Sequence, residues 1–148
     1  MANYPNYRIA VGIVIWHEGK ILLTKRSGNS LVYPNVWCVP SGKVKYEEKP
    51  IEALYREAKE ETNLDVVFLE ELDQRTFKGE SAAGDIFRLV FTYLVVPKPG
   101  SLSHLSINEE HSEYTWVSKE DLSNSRYFSI HSTLKRLLFE LFDKRITA

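Results

Sequence analysis

Glu57, Glu60 and Glu61 stand at i, i+3 and i+4, a spacing that puts three carboxylates on one face of a helix. Three like charges repel. Two of them, Glu60 and Glu61, fall in the last turn, where the helix macrodipole disfavours negative charge. Such a face needs solvent or a cation. Hard oxygen ligands suit Mg²⁺ or Mn²⁺, which keep waters and bind substrate phosphates. The chemistry implied is hydrolysis of a phosphate linkage, with cations on the phosphate oxygens and a metal-bound water as nucleophile. Taken alone, an EAKEE run is more often a solvated acidic face. Its surroundings set this one apart.

Pro50 lacks an N–H and fixes φ, so it belongs early in a helix, and every residue from 51 to 62 tolerates one. At 100° per residue, Ile51, Leu54, Tyr55, Ala58 and Thr62 fall on a stripe expected to pack on a core, with the acidic face beside it. Ala53 lies among the carboxylates and is expected to leave space above them. Asn63 fits a helix stop in the left-handed conformation. Upstream stand Gly42 and Glu48, and Arg56 precedes the first of the three glutamates.

Together Gly42, Glu48, Arg56, Glu57, Glu60, Glu61 and Leu64 resemble the Nudix box. Its pattern is Gly, five residues, Glu, seven residues, Arg-Glu, an apolar residue, any residue, Glu-Glu, any residue, Gly, an apolar residue. Ala58 fills the apolar position, and Asn63 replaces the second Gly. The resemblance implies a metal-dependent pyrophosphohydrolase, MutT-like, with Mg²⁺ or Mn²⁺ as cofactor. By resemblance Glu57, Glu60 and Glu61 bind the metal and prepare the attacking water, while Glu48 and Arg56 brace the loop and helix. The backbone carbonyl before the box Gly adds a metal ligand in the family. That residue is Ser41 here, where the family usually has Gly, and the change is expected to alter the backbone.

The family also draws on a further carboxylate or His from a later loop. Residues 108–113 offer Glu110 as first choice for an extra metal ligand or base, and His111 as second; a solvated acidic loop is the competing reading. For substrate phosphates, Arg26 at the end of the second strand and Arg88 on a long strand are the candidate donors, against a plain surface role for each. Lys25 is expected to face away from Arg26 because strand side chains alternate. Tyr33 and Trp37 are candidates to stack on a base, with core or lid packing an equal alternative.

These residues must be positioned by the rest of the chain. Residues 8–16 are a β-branched run that reads as a central strand. The sequence HEGK makes a tight connection to a second strand at 21–26. Residues 27–35 read as a loop, and 36–39 as a short strand delivering Pro40, Ser41 and Gly42 to the helix. Strands are expected at 66–72, 86–96 and 114–117, with a loop or hairpin tip over 74–85 and a turn-rich connection over 97–103. Ser118 reads as a helix cap. Residues 132–145 form an amphipathic helix with Leu134, Leu137, Leu138, Leu141 and Phe142 on its apolar face. A mixed sheet between helices follows, and the Nudix resemblance implies the same α/β/α sandwich over a single domain, 1–148.

With 148 residues, 43% hydrophobic and 26% charged, the chain has the composition of an ordinary globular domain. Its net charge of −1 gives no global pull toward nucleic acid or acidic membrane. The single cysteine, Cys38, excludes an internal disulfide framework and reads as a small buried residue. No apolar run reaches membrane-spanning length and the first residues lack a signal pattern, so a cytoplasmic location is expected. Family members often pair, so a homodimer through the terminal helix or residues 81–84 is an expectation.

The broadest expected substrate is a nucleoside triphosphate, within the class of nucleoside diphosphates linked to another group. One alternative is a nucleotide-sugar hydrolase. The 109–114 loop with its His and the LSNSRYF stretch resemble the GDP-mannose type, although that subgroup has a damaged box. The other alternative is a non-catalytic ligand-binding module, which usually loses the box glutamates kept here. Features of ADP-ribose and diadenosine-polyphosphate enzymes are missing downstream of the box. LLTKRS at 22–27 matches only the start of a coenzyme-A signature.

Overall fold

The computed structural model describes residues 4–30, 33–81 and 84–146. Strand β1 (Tyr7–His17) is the axis of a seven-stranded mixed sheet. A turn with positive φ at Glu18 and Gly19 sends the chain back into β2 (Lys20–Arg26), the geometry that a right-handed hairpin twist favours. On one edge β1 pairs in parallel with β6 (Gly84–Pro97), from Tyr7 opposite Phe87 to Ile15 opposite Val95. The other edge is shared: β4 (Ser41–Lys43) pairs antiparallel with Ala10, Val11 and Gly12, while β2 pairs with Trp16 and His17. β2 carries β3 (Trp37–Cys38) and β7 (His111–Val117) outward, and β5 (Val66–Ser81) closes the far side against β6.

Strand alternation sorts the core into two clusters. Val11, Ile13 and Ile15 of β1 face helix α1 (Pro50–Thr62), packing with Ala53, Leu54, Ala58 and Leu64. Val14 of β1 and Leu94 of β6 face the other way, onto Leu134, Leu138, Leu141 and Phe142 of the C-terminal helix. That helix, α3 (Ser132–Ile146), follows the short α2 (Lys119–Leu122), which Ser118 caps by accepting from the backbone N–H of Asp121. Helices therefore cover both faces of a mixed sheet, the α/β sandwich that the element order implies.

Helix α1 starts at Pro50, and Asn63 takes the left-handed conformation with φ 58° at its end. Its buried side differs from the expected stripe. Tyr55 is 44% exposed, and the buried set is Ala53, Leu54, Ala58, Glu61 and Thr62. The helix is rotated so that small Ala53 lies against the sheet and lets the backbones approach; it does not leave space above the carboxylates. Residues 74–81 are strand rather than loop, because β6 offers a continuous partner through Ser81 opposite Gly84. Both register shifts of β5, between Phe68 and Glu70 and between Glu71 and Asp73, precede that stretch. β4 is a strand too short and too poor in apolar residues to read from sequence. β7 begins three residues early, at His111.

Within the 27–35 loop, residues 31 and 32 lie outside the described residues, as do 82 and 83 of the 81–84 segment. Cys38 is partly buried, and burial raises its thiol pKa, which suits packing rather than nucleophilic attack. Among the described residues no helix is long and apolar enough to cross a membrane.

Candidate active site

Gly42 of β4 lies directly against the Glu57 side chain of α1. A Cβ built on it would sit 2.0 Å from the carboxyl carbon of Glu57, so only glycine lets the Glu57 carboxylate lie on β4. One position earlier, the backbone N–H of Ser41 donates to Glu61 Oε2 at 3.0 Å. Ser41 sits in the strand and is not among the residues with positive φ. Serine therefore fits here without the backbone change expected of it. Together these contacts hold two helix carboxylates against one strand.

Arg56 fixes the helix to the loop that precedes it. Its guanidinium donates to Glu48 from Nε at 2.8 Å and from Nη2 at 2.9 Å, and to the Lys43 carbonyl at 2.9 Å. Its Nη1 donates to Glu57 at 2.7 Å and Glu60 at 3.1 Å. Glu48 also accepts from the Lys45 N–H at 2.9 Å, and the Arg56 hydrogen bonds hold its carboxyl down to about 2. The same partners hold the Arg56 guanidinium firmly protonated. Placement of the Lys43 carbonyl under Arg56 has no signal in sequence, since any backbone could serve.

The three glutamates are not equivalent. Glu61 is 3% exposed, Glu57 is half-buried, and the Glu60 side chain is 52% exposed. Burial, with the Glu57 charge adding, pushes Glu61 up to about 8. Burial also raises Glu57, although Arg56 opposes the shift. Glu110 contributes negative charge to both, so the later loop reaches the same region as the helix. His111 is lowered, first by burial and then by the Arg26 charge, against the pull of Glu110. Its Nδ1 lies 3.2 Å from Asn108 Oδ1, and Asn108 also accepts from the Glu110 N–H at 3.2 Å. Asn108 thus orients both loop residues, a role its place in an acidic loop did not reveal.

Arg26 is opposite His111 across β2 and β7 and near enough to Glu61 to favour its charge. Lys25 turns away and pairs with Glu113 at 3.3 Å, as alternation requires. Trp37 is 6% exposed, edge-on to Tyr127 within the α3-side core. Its burial fits the core-packing alternative and leaves no open face for a base. Arg88 lies on β6, opposite Arg8 of β1 and Phe77 of β5. Tyr33 is exposed, with its hydroxyl near Gly79 of β5.

The donor set fits a hard divalent cation. Buried carboxylates whose charge is disfavoured by burial and by one another need a positive partner. Arg56 Nη1 already fills that role between Glu57 and Glu60. Among the described residues no three His, Cys, Asp or Glu side chains form a ready metal cage. Glu57 and Glu61, converging on β4 beside the charge of Glu110, are the part of the set best placed to receive one.

The family model for the NUDIX domain matches residues 6–138. The chain belongs to the Nudix family. It is a Nudix pyrophosphohydrolase, with the box arginine in contact with Glu48, Glu57 and Glu60. Nudix hydrolases generally use divalent metal ions. The chain is 32% identical over 120 residues to the nucleoside triphosphatase NudI of Escherichia coli K12, covering 78% of this chain and 84% of that one. It is 30% identical over 122 residues to NudI of Klebsiella pneumoniae, covering 79% and 86%. Among solved structures it is similar to the MutT protein of Methanosarcina mazei. The TM-score is 0.73 at 29% identity, with 99% and 100% of the two chains covered.

Proposed function

We propose that this Nudix chain hydrolyses a phosphoanhydride bond of a nucleoside triphosphate, with Mg²⁺ or Mn²⁺ held by Glu57, Glu60, Glu61 and the Ser41 carbonyl. The observation that carries the reading is the pair of carboxylates, half-buried Glu57 and buried Glu61, set on β4 at Gly42 and Ser41. Similarity to a nucleoside triphosphatase over most of both chains supports the substrate class.

When bound, a divalent cation neutralises phosphate charge and acidifies its water. The protein's own groups then divide the work. Arg56 holds Glu57 and Glu60 in place. Arg26, next to Glu61 and His111 in charge terms, is positioned to donate to phosphate oxygens. Glu110 is the first choice to take the proton from the attacking water, with His111 second. With Nδ1 on Asn108, the Nε2 of a neutral His111 is an acceptor.

A substrate panel tests this. Nucleoside triphosphates, oxidised triphosphates, nucleotide sugars and dinucleotides are incubated with Mg²⁺ or Mn²⁺, and phosphate is read with and without added phosphatase. Metal-dependent turnover of a triphosphate is expected, and the phosphatase requirement reports which bond breaks. Turnover confined to nucleotide sugars, or none in EDTA-reversible form, overturns the reading.

A further inference from the structure

The strand pair that carries Arg26 and His111 ends in an irregularity. β2 and β7 run in register from Ile21 opposite Val117 to Lys25 opposite Glu113, then skip Ser112, so that Arg26 stands opposite His111. One extra residue on one strand is a bulge, which re-aims the side chains beside it and is common next to active sites. Glu110 is the next residue outward from this bulge.

Both backbone groups of Glu110 are held. Its N–H donates to Asn108 Oδ1 at 3.2 Å, and its carbonyl accepts from the Ser27 N–H at 2.9 Å. Asn108 is fixed in turn. Its carbonyl accepts from the His111 N–H at 3.1 Å, and its Oδ1 lies 3.2 Å from His111 Nδ1. Ser27 belongs to a different segment. Its Oγ accepts from the Asn29 N–H at 3.3 Å and its carbonyl from the Ser30 N–H at 3.0 Å. Just before it, the Arg26 N–H donates to the Val36 carbonyl at 2.9 Å, and the Arg26 carbonyl accepts from the Asn35 N–H at 3.1 Å. These two bonds close the base of the 27–35 loop. Glu110 is therefore clamped from two sides, by its own loop through Asn108 and by the 27–35 loop through Ser27.

The Glu110 side chain is exposed, and its charge reaches both Glu57 and Glu61. An exposed carboxylate on a free loop samples many positions. With both flanking peptide groups pinned, only its side-chain torsions remain. Such placement matters to rate, because an error of about 1 Å in a reacting group costs on the order of a hundredfold. Asparagine suits the post. Its Oδ1 takes the amide proton without adding charge to a region that already holds four glutamates, Glu57, Glu60, Glu61 and Glu110.

We propose that Asn108 and Ser27 are positioning residues that set the Glu110 carboxylate against the box glutamates, so that Glu110 and the 27–35 loop act as one unit. The inference rests on the hydrolytic role proposed above for Glu110. Ser27 follows Arg26, the donor assigned to the phosphates. A phosphate held by Arg26 therefore acts on Glu110 through a single intervening peptide.

A double-mutant cycle tests this on the best substrate of the panel. Asn108→Ala should lower kcat at least tenfold and leave KM within twofold. In the Glu110→Gln background the same change should alter kcat less than twofold, because nothing remains to be positioned. Asn108→Asp keeps the acceptor and should recover kcat to within fivefold of wild type. Ser27→Pro deletes the N–H used by the Glu110 carbonyl and should act as Asn108→Ala does. Hydrogen exchange of the substrate-free protein reads the clamp directly. The Glu110 amide should exchange at least tenfold faster in Asn108→Ala and in Ser27→Pro, but not in Asn108→Asp. Equal kcat losses from Asn108→Ala with and without the Glu110 carboxylate overturn the proposal. So does a Glu110 amide that exchanges at one rate in every variant. Wild-type kcat in Glu110→Gln removes the group to be positioned and sinks the proposal as well. Silence of the wild type across the whole panel would instead defeat the proposed activity, and hydrogen exchange would still decide the clamp.

Discussion

Arg56 and Glu48 are joined side-on, by Nε at 2.8 Å and Nη2 at 2.9 Å, while the remaining nitrogen of the same guanidinium reaches Glu57 and Glu60. One planar group therefore ties the entry loop to the chemically active face of the helix. Lysine has the charge but not the fork. Arg56→Lys should lower kcat at least tenfold and cost about 1–3 kcal/mol of stability, the scale of losing hydrogen bonds between charged groups. Steady-state kinetics and urea unfolding check both. Wild-type kcat in a folded Lys variant would refute the bracing role.

Gly42→Ala should separate stability from activity. The added methyl meets the Glu57 carboxylate at 2.0 Å, and the carboxylate is the far end of a flexible side chain, so it can swing away. The cost in folding should stay near 1 kcal/mol, within the usual range for a point substitution. Displacing the carboxylate by about 1 Å should reduce kcat about a hundredfold. Circular dichroism melts and kcat on the best substrate of the panel read the two effects. Loss of both together would mean that Gly42 serves the fold rather than the site.

Sequence reached the helix, its cap at Asn63 and the identity of the box, because those rest on spacing within one element. It did not reach how the helix is rotated. Tyr55 and Ile51 looked equivalent to Leu54 on a helical wheel, yet Ala53 and Glu61 took the buried side because the small residue allows the closest approach. Residues 74–81 were missed for a related reason. Polar side chains and Gly79 read as a loop or hairpin tip, and the regular pairing with β6 that makes the stretch a strand lies outside any local window. Sequence leaves Trp37 open between stacking on a base and core or lid packing, and its burial edge-on to Tyr127 fits the core.

The unequal burial of the glutamates predicts an order that their spacing does not. Glu61→Gln and Glu57→Gln should each reduce kcat by about a hundredfold to a thousandfold, the scale of losing one group that stabilises developing charge. Glu60→Gln should cost less, about tenfold to a hundredfold, because Glu60 is exposed and water can replace part of its function. All three should stay folded, since glutamine keeps the shape. Kinetics at saturating Mg²⁺ give the ranking. A Glu60 variant as impaired as the Glu61 variant would show that burial does not set the order.

Glu61 makes the metal-free protein sensitive to alkali. Its carboxyl is raised from an ordinary 4.5 to about 8 by burial and the Glu57 charge, so the folded state holds its proton over a range where the unfolded chain has lost it. Stability falls wherever the folded state binds more protons. Without metal, stability should therefore be fully present below about pH 4.5 with respect to this group and decline until about pH 8. Over that window the loss is on the order of a few kcal/mol. Glu61→Gln should flatten the decline, having no proton to lose. Mg²⁺ should raise Tm more at pH 8 than at pH 6, because binding must displace the proton at the lower pH. Thermal melts across pH in EDTA and in Mg²⁺ measure this. A wild-type profile that rises from pH 5 to 8 and matches the Gln variant would show that Glu61 titrates normally.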